Sequence, residues 1–294
     1  YLDSLSELIQ DQTGRIHTTF NQTIASTGRL SSTKPNFQNI PIRTSEGREI
    51  RKAFIAKTDG WKILSADYSQ VELRVMAHFS QDKALLDAFK NSEDIHLRTA
   101  SLVFNVPIDM VLPEMRRTAK VVNFGIMYGA GSFRMSQELG IPRKDAGAII
   151  ENYFKQYPGI QNYMQETKEC ARKYGYVKTL FGRRCFVPHI NDKNPMRRAY
   201  AERQAINAPL QGAAADIIKR AMKQIYQSIK KAKFKTSIIL QVHDELVVES
   251  PEEEVKKIIP LIKELMILAP QPLHIMSVPL EVDVGIGNNW DEAH

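Results

Sequence analysis

The most informative stretch of the sequence is residues 62–74, which read KILSADYSQVELR. An apolar run gives way at Asp67 to a segment with helical spacing, so the pattern predicts a strand over 61–67 followed by a helix over 69–79. Asp67 then lies at the carboxyl end of the strand. A sheet holds a carboxylate rigidly at such a position, which suits metal-binding or catalytic work. An ordinary helix N-cap is the alternative interpretation.

A second acidic site lies far along the chain, in residues 241–247, which read QVHDELV. Two β-rich runs, 236–242 and 245–250, are separated by His243 and Asp244, a pattern typical of a hairpin. Two-residue hairpin turns favour Asn-Gly or Asp-Gly because the turn needs a positive φ. His-Asp breaks that rule while it presents two adjacent carboxylates, which indicates a functional site. An exposed, solubilising tip is the alternative.

A third segment, residues 116–129, combines cations with aromatic rings. Arg116, Lys120, Phe124 and Tyr128 recur every fourth residue, so on a helix they share one face. Cations bind phosphates and aromatic planes stack on bases, so this face could hold both ends of a nucleotide. The alternative is a mixed surface helix whose aromatic rings are simply buried. With the two carboxylate sites, the helix favours metal-assisted chemistry on a nucleotide.

Composition sets broader limits on the class of protein. The chain has 294 residues, of which 43% are hydrophobic and 25% charged, and this excludes disordered and collagen-like classes. The net charge of +7 is compatible with a polyanionic partner. No stretch approaches the ~20 apolar residues that span a bilayer, so we expect no membrane integration. The two cysteines form no CxxC pair, which argues against a disulfide framework or a zinc ribbon.

The order of the predicted elements indicates the fold class. Residues 26–41 predict an ordered loop or short strands, and 80–232 are mostly helical with breaks at Pro and Gly. A helix over 251–268 and a strand over 278–284 follow. Strands near both ends of the chain therefore flank a helical middle. The sequence predicts an α+β architecture in which one domain is built from two distant segments.

The three chemical segments resemble a known family. Residues 67–74, 116–129 and 243–245 resemble motifs A, B and C of the family A DNA polymerases, in that order, and the bacterial members are most similar. Residues 27–32 with 36–39, and residues 201–218, resemble two further motifs. The resemblance covers essentially the whole chain.

The resemblance implies a specific domain organisation. Residues 1–73 and 196–294 would form an antiparallel palm sheet with flanking helices, and residues 74–195 a mostly helical fingers subdomain. The thumb and nuclease domains of other members are not recognisable, so we expect a fragment of low processivity with no proofreading exonuclease.

The implied activity is template-directed DNA polymerisation by two-metal phosphoryl transfer to a primer 3′-hydroxyl. Asp67, Asp244 and the backbone carbonyl of Tyr68 would hold two Mg²⁺ ions, with Glu245 as a supporting carboxylate. Lys120 would supply a proton to the leaving group. The alternatives are a catalytically inactive nucleic-acid binding remnant and a polymerase that copies RNA.

The resemblance also implies which residues bind the nucleotide and the DNA. The nucleotide-binding set would be Arg116, Lys120, Phe124, Tyr128, His96, Glu72 and Gln70, in which Glu72 excludes a ribose 2′-hydroxyl. The DNA-binding set would be Arg29, Asn36, Gln38, Asn39, Arg203, Asn207, Gln211 and His243. Three of the latter step by four and share a helix face unless Pro209 breaks the turn.

The expected partners are primer-template DNA and deoxynucleoside triphosphates. We expect no membrane partner and a monomer. A bacterial, cytoplasmic and nucleoid-associated protein would fit these partners.

Overall fold

The computed structural model describes residues 5–42 and 44–294. Its α-helices are α1 (Ser45–Lys52), α2 (Val71–Ser80), α3 (Lys83–Lys90), α4 (Ile95–Phe104), α5 (Pro113–Met127), α6 (Ser132–Leu139), α7 (Arg143–Gln156), α8 (Pro158–Tyr174), α9 (Pro195–Ala232), α10 (Glu252–Ile267) and α11 (Trp290–Ala293). Its strands are β1 (Thr19–Asn21), β2 (Ser31–Thr33), β3 (Trp61–Tyr68), β4 (Tyr176–Lys178), β5 (Arg184–Phe186), β6 (Ser237–Val242), β7 (Glu245–Pro251) and β8 (Val282–Gly287). Short 3₁₀ turns occupy Phe37–Asn39 and Ile108–Met110.

The main sheet has four strands in the order β6-β7-β3-β8, and every neighbouring pair is antiparallel. The pairs β1–β2 and β4–β5 form two small antiparallel sheets. Helices make up most of the chain between β3 and β6. The predicted α+β fold with an antiparallel sheet is therefore confirmed.

Proline and glycine set several helix boundaries, as the sequence predicts. Helices α5 and α8 begin at Pro113 and Pro158, where the missing N–H costs no intrahelical hydrogen bond. Helix α8 ends at Tyr174 and is capped by Gly175, whose φ of 75° is left-handed. Helix α9, by contrast, continues through Pro209 rather than breaking there.

The predicted start of the last strand, at residue 278, is wrong. The sequence predicts a strand over 278–284, where Val278, Leu280 and Val282 alternate with other residues and are all buried. The strand begins only at Val282, which pairs with Tyr68 at the end of β3. Pro279 has no N–H to give to a ladder, so the apolar alternation continues ahead of the sheet without strand pairing.

The described chain forms two compact units. One comprises residues up to 71 with 214–274 and 280–294, and the other comprises 72–213 with 275–279. The first contains the four-stranded sheet and is built from distant segments of the chain. The palm and fingers boundaries at residues 73 and 195 stay a prediction. Within the described ranges, no helix is long and apolar enough to cross a membrane.

The core of the first unit brings the end of the chain against the sheet. Phe37, Ile63, Val247 and Trp290 belong to one buried cluster. Helix α11 lies so close to β8 that a Cβ on Gly285 would be 2.1 Å from a backbone carbonyl oxygen of the helix. Only glycine allows this approach, which seats the Trp290 ring in the core below the sheet.

Candidate active site

Acidic side chains collect at one end of the main sheet. Asp67, near the carboxyl end of β3, pairs with Glu245 of β7 on one side and with Asp283 of β8 on the other. Directly paired residues of antiparallel strands present their side chains on the same face, so these three carboxylates form a row. The Asp244 carbonyl accepts a hydrogen bond from the Tyr68 N–H at 3.3 Å. The structure therefore brings Asp67 and Asp244 to the same end of the sheet.

The two aspartates have unusual electrostatics. Burial, together with repulsion from Asp244 and Glu245, raises the pKa of Asp67 to about 7. Burial also raises the pKa of Asp244, opposed by its own backbone hydrogen bond and by the nearby Arg29 and His243 charges. Buried carboxyls that repel each other favour either a proton or a bound cation.

Glu245 is held from inside the protein. Its Oε1 accepts hydrogen bonds from Ser65 Oγ at 2.6 Å and Trp290 Nε1 at 2.7 Å, and His294 Nδ1 lies 3.7 Å away. Burial by itself would raise the pKa of Glu245, but these partners outweigh it and lower the pKa below its ordinary value. Glu245 is only 4% exposed, so its partners fix its position.

The donor set fits a hard divalent cation. The carboxylates of Asp67 and Asp244 lie at this end of the sheet together with the backbone of Tyr68, next to the paired Glu245 and Asp283. In the part of the chain that the structure describes, no three His, Cys, Asp or Glu side chains group as a complete metal site. Mg²⁺ is commonly held by one or two carboxylates, with water and substrate phosphates completing its shell. These residues fit such a partial site.

Backbone strain marks both chain reversals beside the carboxylates. His243 has a φ of 54° and Gln70 a φ of 52°, both in the left-handed region that residues other than glycine rarely occupy. Gln241 Nε2 donates to the His243 carbonyl at 2.5 Å, and Gln38 Nε2 donates to the Gln241 carbonyl at 3.2 Å. Gln38, one of the predicted DNA-binding residues, is thus hydrogen-bonded to the strand that leads into the His243 turn.

The raised pKa of Asp67 predicts a pH-dependent gain in stability from Asp67→Asn. A folded-state pKa near 7, against an ordinary 3.8, means that the contribution of Asp67 to wild-type stability falls as pH rises from about 4 to about 7. In buffer with EDTA at pH 8, where the full cost is present, the variant should melt ~5 °C higher than wild type, and the gain should shrink at pH 5. Calorimetry measures both. A lower melting temperature for the variant at pH 8 would refute this account of Asp67.

Helix α5 carries the predicted nucleotide-binding face. Its buried residues include Ala119, Val122, Asn123, Ile126 and Met127. Arg116, Lys120, Phe124 and Tyr128 are instead half-buried or exposed, in a row that borders that core. The Phe124 and Tyr128 ring centroids are 6.1 Å apart. The helix thus presents cations in its first half and aromatic rings in its second, as the spacing predicts.

Asp94 orients the first cation of this face. Its Oδ1 caps α4 by accepting from the backbone of His96, and its Oδ2 accepts from Arg116 Nε at 2.7 Å. An arginine held through Nε keeps its two Nη nitrogens for a bidentate oxyanion contact. Burial raises the pKa of Asp94, but the Arg116 hydrogen bond and the cap bonds outweigh it and lower the pKa overall.

Glu72, the predicted sugar selector, is bonded to the aromatic end of the α5 face. Tyr128 Oη donates to Glu72 Oε2 at 2.5 Å, and Glu72 is 7% exposed. Asn207 Nδ2 on α9 in turn reaches the Tyr128 carbonyl at 3.5 Å. These three predicted site residues therefore form one connected group.

The remaining predicted DNA-binding residues fall into two groups. Arg203, Asn207 and Gln211 all lie on the half-buried side of α9, because the helix passes through Pro209 without ending. Arg29, Asn36, Asn39 and His243 belong to the unit that contains the sheet. Asn36 caps the 3₁₀ turn through a hydrogen bond from the Gln38 N–H at 3.0 Å.

Several residues that contact the predicted site residues were not predicted from the sequence. Ser65 stands two residues before Asp67, so the period of a strand already places both on one face. Asp283, Trp290 and Asp94 give no such signal, because each contacts its predicted site residue only through strand pairing or helix packing within its own unit.

An antiparallel sheet that ends in a row of carboxylates, and a helix with cations ahead of aromatic rings, are the features that the resemblance to a polymerase implies. The chain belongs to DNA polymerase family A, whose family model matches residues 1–292. The resemblance that motifs A, B and C indicate is therefore confirmed.

Individual relatives agree with this assignment. The chain is 51% identical over 294 residues to DNA polymerase I of Pseudomonas aeruginosa, covering all of this chain and 32% of that protein. It is 48% identical over 293 residues to the thermostable DNA polymerase I of Thermus aquaticus, covering all of this chain and 34% of that protein. It thus spans about a third of the length of these relatives.

A solved structure has the same fold. It is described as the POL domain of Pol1 from M. smegmatis in complex with DNA primer-template and dNTP. The TM-score is 0.94 at 47% identity, and the match covers 99% of this chain and 51% of that one.

Proposed function

We propose that this chain carries the template-directed DNA polymerase activity of a family A enzyme, adding deoxynucleotides to a primer 3′-hydroxyl. The observation that carries the proposal is the meeting of Asp67 and Asp244 at one end of the sheet. Membership of family A supports it, as does the similarity to a domain solved with primer-template and dNTP.

The acidic end of the sheet would bind two Mg²⁺ ions through Asp67, Asp244 and the Tyr68 carbonyl. When bound, the ions would lower the pKa of the primer hydroxyl and neutralise charge on the phosphates. Strand pairing and the Tyr68 phenol, which donates to the Met266 carbonyl at 2.7 Å, hold the donor atoms in place. Glu245 would support Asp67 from the adjacent strand.

The α5 face would bind the incoming nucleotide. Arg116 and Lys120 would contact the triphosphate, with His96 beside them, and Phe124 would pack on the base or sugar. In-line phosphoryl transfer needs positioning and charge neutralisation more than covalent chemistry from the protein. Lys120 would also give a proton to the departing pyrophosphate.

The remaining assignments complete this proposal. Glu72 would reject a ribose 2′-hydroxyl, Tyr128 would border the template base, and Gln70 would contact the nucleotide. Residues 1–73 and 196–294 would serve as palm and 74–195 as fingers, working as a monomer of low processivity in the bacterial cytoplasm, near the nucleoid. Hydrogen-bond donors at the minor groove would meet acceptors common to all correct base pairs, which allows sequence-independent binding of the primer-template.

A labelled primer-template, offered each deoxynucleotide in turn with Mg²⁺, tests the proposal. We expect addition of the complementary nucleotide and none without the metal. Salt-dependent DNA binding without any extension would instead identify an inactive binding remnant. Faster extension on an RNA template than on a DNA template would identify the RNA-copying alternative.

A further inference from the structure

A buried chain of polar side chains links α4 to α5 behind the cationic face. Thr99 Oγ1 donates to Asn123 Oδ1 at 3.0 Å, and Asn123 Nδ2 lies 2.9 Å from His96 Nδ1. Thr99 and Asn123 are 0% exposed and His96 is 2% exposed. Buried polar groups persist where they are hydrogen-bonded to one another, and a fully bonded network fixes a single arrangement.

The direction of these bonds determines where the His96 proton lies. The Thr99 hydroxyl occupies the amide oxygen of Asn123, so the amide nitrogen faces the imidazole ring. An amide nitrogen only donates, and Nδ1 is therefore the acceptor. In a neutral ring, the proton must then be on Nε2.

The surroundings keep this ring neutral. Burial is the main cause that lowers the pKa of His96 to about 4; Asp94 on α4 opposes this shift, and Arg116 and Lys120 on α5 add to it. Among the residues that the structure describes, these three charged groups are the ones that shift the pKa of the ring. Phe124 adds an apolar neighbour, with ring centroids 5.9 Å apart. Between pH 6 and 8, His96 thus adds no charge to the cationic face.

We propose that Asn123 is a positioning residue that fixes His96 as the neutral tautomer with its proton on Nε2, so that the ring offers one directional hydrogen bond to a triphosphate oxygen. This inference rests on the proposed function of the α5 face. Thr99 sets the orientation of the Asn123 amide and so acts on His96 only through Asn123. Only 2% of His96 is exposed, so the side chains that cover the ring must shift for a phosphate to reach it.

The two cations and the neutral His96 ring would act on the triphosphate in different ways. Arg116 and Lys120 neutralise phosphate charge, which depends little on direction. A neutral N–H donor adds direction, because a hydrogen bond weakens steeply as it bends. It does so without a third positive charge that would hold pyrophosphate after the reaction.

Nuclear magnetic resonance of the protein with ¹⁵N-labelled histidine tests the tautomer without any catalysis. Two-bond ¹H–¹⁵N correlations distinguish a protonated from an unprotonated ring nitrogen, and His96→Gln identifies the signal among the seven histidines. We expect Nδ1 unprotonated and Nε2 protonated from pH 6 to 8. A proton on Nδ1, or a charged ring at pH 7, would overturn the inference.

Asn123→Asp reverses the bond and provides the functional readout. A carboxylate would accept from Nδ1–H, so we expect the His96 pKa to rise by more than one unit and nucleotide binding to become pH-dependent. Single-turnover extension should show an apparent dissociation constant for the nucleotide that changes ~10-fold between pH 6 and 8, while wild type stays flat. If Asn123 had a purely structural role, the variant would change the dissociation constant for the nucleotide by the same factor at pH 6 and pH 8. That result would refute the positioning role.

Thr99→Val is the milder second variant. It keeps the size of the side chain and frees the Asn123 amide to turn over. We expect a mixture of the two His96 tautomers in the same spectra, and an unchanged single tautomer would show that Thr99 plays no part. Absence of extension by the wild-type protein would count against the proposed function, whereas the wild-type spectra would still decide the tautomer.

Discussion

Asp67→Asn should lower the rate of template-directed extension by at least about a thousandfold, although the fold of the protein persists. Two-metal sites supply several kcal/mol of transition-state stabilisation, and about 4 kcal/mol corresponds to a thousandfold in rate. Asn keeps the size of Asp67 but lacks the charge that would hold the metal. Single-turnover extension of a labelled primer, with saturating Mg²⁺ and nucleotide, measures the loss. The gain in melting temperature expected for the same variant shows that lost activity is not lost structure.

Asp283→Asn is the matched control for this variant. Asp283 pairs with Asp67 in the sheet and carries the same charge, but it is exposed. We expect its replacement to reduce extension by less than about tenfold, because an exposed charge acts through high dielectric. Equal losses in Asp67→Asn and Asp283→Asn would mean that the site needs only general negative charge. Retained extension in Asp67→Asn would remove the metal assignment altogether.

Lys120→Ala should give the second large loss, of about a hundredfold to a thousandfold in the maximum rate of incorporation. The ammonium would oppose charge on the phosphates and protonate the leaving pyrophosphate, and removal of one such preorganised group commonly costs this much. The loss should appear mainly in the rate rather than in nucleotide affinity, because the charge develops in the transition state. Rapid-quench extension over a range of nucleotide concentrations separates the two.

Arg117→Ala controls for the loss of a positive charge from α5. Arg117 is exposed and lies three residues before Lys120, outside the row that Arg116 and Lys120 begin. Its removal should change the rate by less than about threefold, since an exposed charge away from the reacting atoms is well screened. A comparable loss in both variants would attribute the effect to overall charge and DNA affinity. A Lys120→Ala enzyme of normal rate would rule out the proposed proton donor.

Local sequence patterns predict the parts of the site that depend on a single element. Asp67 lies near the end of a strand because the apolar run before it needs burial, and Asp244 lies in a turn because two β-rich runs flank it. The row from Arg116 to Tyr128 follows from the period of a helix alone. His243 shows the rule most clearly: its left-handed φ of 54° is the strain that a His-Asp turn predicts.

The parts that sequence could not supply depend on contacts between distant segments. Trp290 reaches Glu245 only because α11 packs directly on a glycine of β8. Asn123 reaches His96 across the packing of two helices, 27 positions apart in the chain. The late start of β8 has the same origin, since pairing with Tyr68, and not apolar alternation, determines where the strand begins.

Binding of Mn²⁺ followed by electron paramagnetic resonance tests the central claim, that Asp67 and Asp244 share divalent cations. The sample is the protein with a primer that ends in a dideoxynucleotide, its template and the matching nucleotide. We expect two bound ions per chain for the wild-type protein and a loss of at least one in Asp67→Asn and in Asp244→Asn. Two ions bound with unchanged affinity in both variants would contradict the account.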